Sequence, residues 1–375
     1  MSAFQVNSQD NCQENSQRSG LYVEARDSRS FVASILAGWS PVLLLAIPLI
    51  VLAAVVEYAG NATLQSIVTL ALIRIVTVVG IYIFVGNSGI VSFGQIAFMA
   101  IAAYASAWQT CCEALKPMTM PGLPEFLLAG SMPLWVSGLT SVALAALAAF
   151  VVGLILMRLS GLAASISTLA VLFIFNTVYS NWDSVTMGSA SIVGLPEYVS
   201  APVAAAGVVL ALVIAFVHQR SRWGLMLRAS REDEVAARAA GVSLYVSRLV
   251  AFTVSGAVMG MAGVLQAHFL GSISTDSFFL DLTFITLAML IVGGTRSLAG
   301  AVVGTVVVQA ITEAFRQLEA GVNIGHTQIA LPSGVQELVL AAAMLLILIY
   351  RRNGLVGGRE FSLRLRARST RAPRS

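Results

Sequence analysis

Residues 227–241 read Leu227-Arg228-Ala229-Ser230-Arg231-Glu232-Asp233-Glu234-Val235-Ala236-Ala237-Arg238-Ala239-Ala240-Gly241, and this polar run decides how the rest of the chain is arranged. Ser230 followed by Arg231, Glu232 and Asp233 has the form of an N-cap with an acidic residue at N3. The acids at 232, 233 and 234 oppose the positive end of a helix dipole. Glu234 and Arg238 stand four apart in the favourable order, and Gly241 can take the left-handed position that closes a helix. The pattern predicts a helix over 231–240. Ten residues rise only about 15 Å, too short and too polar to cross a bilayer. The helix therefore lies outside whatever its neighbours cross, and the alanines at 236, 237, 239 and 240 let another surface approach it closely. Read alone, the segment leaves two roles open: docking a cytoplasmic partner, or resting on lipid headgroups through its basic residues.

The polar loop extends from Gln219 to Ser247, and outward from it in both directions the chain turns apolar. Long apolar stretches broken by Gly, Pro and charge lie near 38–58, 62–85, 89–108, 134–157, 161–181, 199–217, 249–270, 279–294, 298–318 and 333–350. Of the 375 residues, 57% are apolar and 11% charged, against roughly 45–50% and 25% in soluble domains. That excess excludes a soluble enzyme. Helices are the expected spanning form, because lipid offers no partner to an open backbone amide and these runs are too long and continuous for barrel strands. The three cysteines, Cys12, Cys111 and Cys112, include two sequence neighbours and do not describe a disulfide scaffold. No catalytic or metal-ligating set is expected, and no nucleic-acid partner.

Arginine placement tests the count of ten, since basic residues accumulate on the cytoplasmic side. With the N terminus inside, 19 of the 21 arginines fall in inner segments, including six from Arg220 to Arg248 and eight from Arg351 to Arg374. The outer loops then hold Lys116, the sole lysine, against Glu113, Glu125, Asp183, Glu197, Asp276 and Glu319. Both termini are thus expected in the cytoplasm. Residues 1–30, rich in Ser, Gln and Asn, are expected as a disordered tail, 31–350 as the transmembrane domain with 219–247 as its cytoplasmic loop, and 351–375 as a basic tail that enforces topology or meets anionic lipid. Lys116 sits in Glu113-Ala114-Leu115-Lys116-Pro117, which is no phosphate-binding loop, so any ATP that drives this protein is bound by another chain.

The 227–241 run resembles the coupling loop of branched-chain amino-acid ABC importer permeases of the LivM type. Three further stretches agree: Gly86-Asn87-Ser88-Gly89 through Ser92-Phe93-Gly94-Gln95 to Ala103-Tyr104, Arg158-Leu159-Ser160-Gly161 through Ser167-Thr168-Leu169-Ala170, and the loop from Thr186 to Pro196. The resemblance covers roughly 72–350. It implies an all-α, ten-helix fold of the vitamin B12-importer (type II) kind in a bacterial inner membrane. It also implies a second homologous permease subunit, cytoplasmic ATPase subunits that bind the ATP, and a periplasmic substrate-binding protein. Arg231, Glu232, Asp233, Glu234, Ala236, Ala237 and Gly241 would then form the surface that docks the ATPase. The chain departs from the family at Tyr82, where Asn is usual, at Met187 and Ser189, and at Arg74. Cargo stays open among branched-chain amino acids, other amino acids, urea and amides.

Arg74 lies mid-span. An arginine there costs about 2.5–3.5 kcal/mol on insertion scales, so a counter-charge such as Glu57 or Glu313, water, a cavity or a substrate carboxylate is expected beside it. Glu313 and Arg316 read more simply as a local i,i+3 pair. Ser88, Ser92 and Gln95, in the Gly-rich turn, join Arg74 as translocation-pathway candidates, with close helix packing as the plainer account of the glycines. Two rival functions draw on the same residues. A stand-alone secondary transporter or channel leaves the structured loop unexplained. An intramembrane serine protease built on Ser88 needs a histidine base, and His268 and His326 are expected near the opposite face, with His218 at the edge of the charged loop.

Overall fold

The computed structural model describes residues 39–111, 116–128, 130–319, 322–324, 327–329, 334–350 and 354–357. The two expected tails lie outside these, apart from 354–357. The chain divides into a unit of Leu45–Glu360 and a second made of its two ends, of which 39–44 are described as the beginning of a helix. The described residues form α1 (Trp39–Ala59), α2 (Ala62–Ser88), α3 (Gln95–Thr110), α4 (Leu134–Leu156), α5 (Gly161–Ser180), α6 (Ala201–Arg220), α7 (Arg222–Glu232), α8 (Glu234–Ala239), α9 (Leu244–Leu270), α10 (Leu280–Gly293), α11 (Leu298–Glu319) and α12 (Val335–Tyr350), with a few single-turn helices between them. Eight are long and apolar enough to cross a membrane, α10 counting together with the turn that begins at Asp276. The other two apolar helices, α3 and α12, have 16 residues each. The protein is an all-α, polytopic membrane protein, with its helices close to the apolar stretches of the sequence.

The shortness of α3 has a local cause. Residues 89–94, expected as part of a span, form an irregular turn instead. Gly89 ends α2 with φ +74°, a left-handed position glycine takes without strain, and its N–H bonds Val85 O at 3.0 Å. Non-helical backbone is tolerated inside a membrane where protein satisfies it. Here Ile90 N–H donates to Ser88 Oγ at 3.1 Å and Phe93 N–H to Thr168 Oγ1 of α5 at 3.2 Å.

Helix packing relies on small residues, as it must where lipid tails are as apolar as the helix surface. On α4 the buried residues Ser137, Ser141, Ala145, Ala149 and Gly153 recur every fourth position, making a smooth seam. The seam lies against Gly256 and Gly260 of α9: a methyl group on Gly256 would sit 2.3 Å from Ala149 Cβ, and one on Gly260 2.7 Å from Ala145 Cβ. The opposite face of α4, with Leu139, Leu147 and Ile155, is exposed and apolar. Together α9 and α2 form the centre of the unit, and most of α2 from Thr69 onward is buried. Beyond the far ends of α5 and α9, Ile192–Val193 pairs antiparallel with Ser272–Ile273.

One expectation is corrected. The predicted continuous helix over 231–240 is instead two helices meeting at Asp233. Ser230 is no cap: it lies inside α7, its hydroxyl donating back to Leu227 O at 2.6 Å. Asp233, extended at φ −151°, caps α8 by accepting from Val235 N–H and Ala236 N–H, each at 2.9 Å. A carboxylate that satisfies two amides is a better helix start than an interior serine, and it resets the chain direction. The expected end holds. Gly241 has φ +81°, with Val242 N–H bonding Ala237 O and Gly241 N–H bonding Arg238 O, both at 3.0 Å, the Schellman pattern.

Candidate functional site

The α7–α8 elbow is joined to the membrane helices through a few side chains. Arg231, the penultimate residue of α7, runs its half-buried side chain under Gly89 and donates to Gly86 O. It also reaches Thr295 Oγ1 at 3.4 Å in the turn between α10 and α11. Burial, then the nearby charge of Arg296, pushes its pKa below the ordinary guanidinium value. Tyr82, buried in α2, donates to Gln219 Oε1 at 3.4 Å at the end of α6. On α8, Glu234 accepts from Arg238 at 2.6 Å and from Arg248 of α9 at 3.1 Å. The hydrogen bond from Arg238, reinforced by the charge of Arg248, holds Glu234 below the usual carboxylate range. Glu232 lies 3.9 Å from Arg296, both exposed.

The remaining coupling candidates divide by exposure. Ala237 is buried beneath the elbow, whereas Asp233, Ala236 and Gly241 are exposed. Val235 is 79% exposed, an aliphatic side chain among small and charged neighbours. Beside the elbow lies a cleft of about 540 Å³ bordered by Arg158, Arg238, Tyr245 and Arg248.

A second, larger cavity of about 880 Å³ opens among α2, the Gly-rich turn, α9, α10 and α12. Arg74 borders it from the middle of α2, with Gln266 and Leu270 from α9 and Asp276 and Asp281 from the approach to α10. Nε and Nη1 of Arg74 are buried without a hydrogen-bond partner, and so is Oε1 of Gln266. Neither expected counter-charge serves Arg74: Glu57 is exposed, and Glu313 takes two hydrogen bonds from Arg316 at 2.6 and 2.8 Å. Among the described residues the cavity is lined by Val91 and Phe93 of the turn rather than by Ser88, Ser92 or Gln95. Those three are buried, the Ser92 hydroxyl and both Gln95 amide atoms without partners.

Among the described residues, the hydrogen bond given for the Ser88 hydroxyl is the one it accepts from Ile90 N–H at 3.1 Å, with no histidine on it. His268 engages Ser106 instead, Nε2 to Oγ at 2.6 Å, with Nδ1 on Pro196 O at 3.1 Å. Both partners are fully sealed from solvent, and the pair sits near the end of α9 that lies 27 residues, or about 40 Å, from the elbow. His326 lies outside the described residues. Lys116, which the sequence placed in an outer loop, is buried and donates to Leu127 O at 2.8 Å and Gly130 O at 2.9 Å.

Sequence reasoning did not find Gln266, Asp276, Arg248 or Thr295. The only signal was their position: Gln266 is a polar residue in an apolar span, and Arg248 stands a helix turn inside α9.

Among the described residues, eight helices long and apolar enough to cross a membrane, with a short bent helix pair between two of them, define a multi-pass membrane protein. The family described as branched-chain amino acid transport system / permease component matches residues 63–348, and the chain belongs to it. It is 27% identical over 347 residues to the high-affinity branched-chain amino acid transport system permease protein LivM of Escherichia coli K12, covering 83% of this chain and 74% of that one. The corresponding LivM of Salmonella typhimurium is also 27% identical, over 336 residues, 80% of this chain and 72% of the other. No solved structure matches the chain.

Proposed function

We propose that this chain is the membrane-spanning permease subunit of an ATP-driven importer for branched-chain or related amino acids, lying in a bacterial inner membrane with both termini in the cytoplasm. It works with a second, homologous permease subunit, separate ATPase subunits that bind the ATP, and a periplasmic substrate-binding protein. The α7–α8 elbow takes the ATPase, presenting Val235, Ala236, Asp233 and the exposed edge of Arg238. The observation that carries this reading is the contact of Arg231 with Gly86 and Thr295. It ties the elbow directly to the end of α2 and to the α10–α11 turn, so a push on the elbow is felt by helices that line the cavity. The alternation of arginine-rich and arginine-poor loops supplies the orientation.

The test is reconstitution of the complex in vesicles containing the companion subunits and ATP. Glu234→Arg, which sets like charges against Arg238 and Arg248, and Gly241→Val, which forces a β-branched residue to φ +81°, should both leave an inserted protein whose ATP hydrolysis no longer drives leucine uptake. Uptake at the unaltered rate in both variants, or uptake that proceeds without the ATPase subunits, refutes the reading.

A further inference from the structure

Arg74 presents an uncompensated requirement at the edge of the larger cavity. A guanidinium is a permanent cation with five N–H donors and no acceptor. Two of its nitrogens are buried here without a partner, at the centre of a helix in which such a group is costly unless it meets an anion, a backbone carbonyl or a water-filled cavity. The same cavity holds the converse requirement. Gln266 Oε1 is a buried acceptor with no donor, and the exposed acidic residues Asp276 and Asp281 border the cavity toward the start of α10. A simple anion would answer Arg74 and be repelled by the aspartates. A neutral solute such as urea would answer neither charge. The remaining wall is apolar and aromatic, with Phe93 and Phe284 packed edge to face at 6.4 Å and Leu282 and Ile285 beside them.

We infer that this cavity binds the zwitterionic head of an amino acid whose side chain is apolar: Arg74 takes the carboxylate, Gln266 Oε1 with Asp276 and Asp281 takes the ammonium, and the Phe93–Phe284 wall takes the side chain. Guanidinium meets carboxylate with two parallel, charge-assisted hydrogen bonds, so Arg74 both holds and orients the ligand. The volume of about 880 Å³ is within the range of ligand pockets, roughly 300–1,000 Å³. The inference rests on the transport reading above and adds to it a binding site within this subunit and the residues that compose it.

The test uses the purified complex of permease and ATPase subunits without any binding protein, so that only the membrane site is probed. Binding of radiolabelled leucine is measured with unlabelled leucine, leucinamide (no carboxylate), 4-methylpentanoate (no ammonium) and urea as competitors. Leucine should displace the label at least about tenfold better than either half-charged analogue, and urea should not compete. Arg74→Leu should weaken leucine binding by about tenfold to a hundredfold, the loss expected for a charge-assisted hydrogen bond. Arg74→Lys should retain part of it, and Gln266→Leu should weaken it by a smaller factor. Analogues that compete as well as leucine, absence of leucine binding in the unaltered protein, or unchanged binding in Arg74→Lys and Gln266→Leu together would overturn the inference; the last pair decides the matter if Arg74→Leu fails to assemble. ATP-driven leucine uptake by the unaltered complex with its binding protein separates the two levels. Lack of uptake refutes the transport reading, whereas uptake with a site insensitive to these changes refutes the zwitterion site alone.

Discussion

Arg231, on the short polar helix pair, donates a hydrogen bond to the backbone carbonyl of Gly86, 145 residues earlier in the chain. Gly86 lies in the last turn of α2, where helix carbonyls lose their intrahelical partners, so the guanidinium fills a vacant acceptor. Its long stem is sheltered by Gly89, where any side chain would fall 2.9 Å from Arg231 Cγ. The contact joins the two most distinctive polar stretches of the sequence.

Arg231→Ala should leave hydrolysis by the associated ATPase intact while lowering the leucine moved per ATP by about tenfold, in keeping with the loss of a charged hydrogen bond. Arg231→Lys should fall between, since a lysine supplies a point charge without the planar fork. The ratio of uptake to phosphate release in vesicles reads both. An unchanged ratio in Arg231→Ala would show that the elbow moves the membrane helices by another route.

The elbow itself is testable through its caps. Asp233→Ala removes the acceptor of two amide bonds and should cost about 0.5–2 kcal/mol of local stability. Ser230→Ala should cost little, because its hydroxyl only bonds back within α7. Amide hydrogen exchange across 234–240 distinguishes them: fast exchange in Asp233→Ala and normal exchange in Ser230→Ala is the expected pattern, and the reverse would restore the continuous helix.

Glu234 gives the same segment a pH dependence. Its pKa is depressed in the folded protein by Arg238 and then Arg248. Its contribution is therefore complete above the ordinary carboxylate value and is lost as pH falls through the lower, folded value. Hydrogen-exchange protection of α8 should be flat from pH 8 to about 5 and decline below about 4. In Glu234→Gln that decline should be absent, with lower protection at neutral pH.

Gly256→Val places a branched side chain where a single methyl already comes within 2.3 Å of Ala149 Cβ. Separation of α4 from α9 should lower stability by about 1–3 kcal/mol, visible as a reduced midpoint of thermal unfolding in detergent. Leu147→Ala, on the outward face of α4, should leave that midpoint nearly unchanged. Equal effects would mean that the seam is not what holds these helices.

Much of this was legible along the chain because it depends on local composition. A helix that crosses lipid must be apolar for about 20 residues, so the positions of α1, α2, α4, α5 and α6 follow from their sequences within a few residues. The i,i+4 pair of Glu234 with Arg238 and the i,i+3 pair of Glu313 with Arg316 were readable because both partners share one helix. The break at Asp233 was not. Ser230 and Asp233 both make acceptable caps, and the competition between them is decided by the length of α7, which begins at Arg222.

By itself, then, the amino-acid order determined a lipid-dwelling helical protein, its likeness to the branched-chain permeases, and a polar loop between its sixth and seventh spans. Those properties are sums over neighbours in the chain. Only the tertiary structure decided that Arg231 meets Gly86, that Arg248 shares Glu234 with Arg238, and that Arg74 and Gln266 border one cavity although 192 positions separate them. In a membrane every long helix is apolar on nearly all sides, so hydropathy does not say which face meets which neighbour. That choice is made by the fit of small residues such as Ala149 against Gly256, and it exists only once the helices are packed.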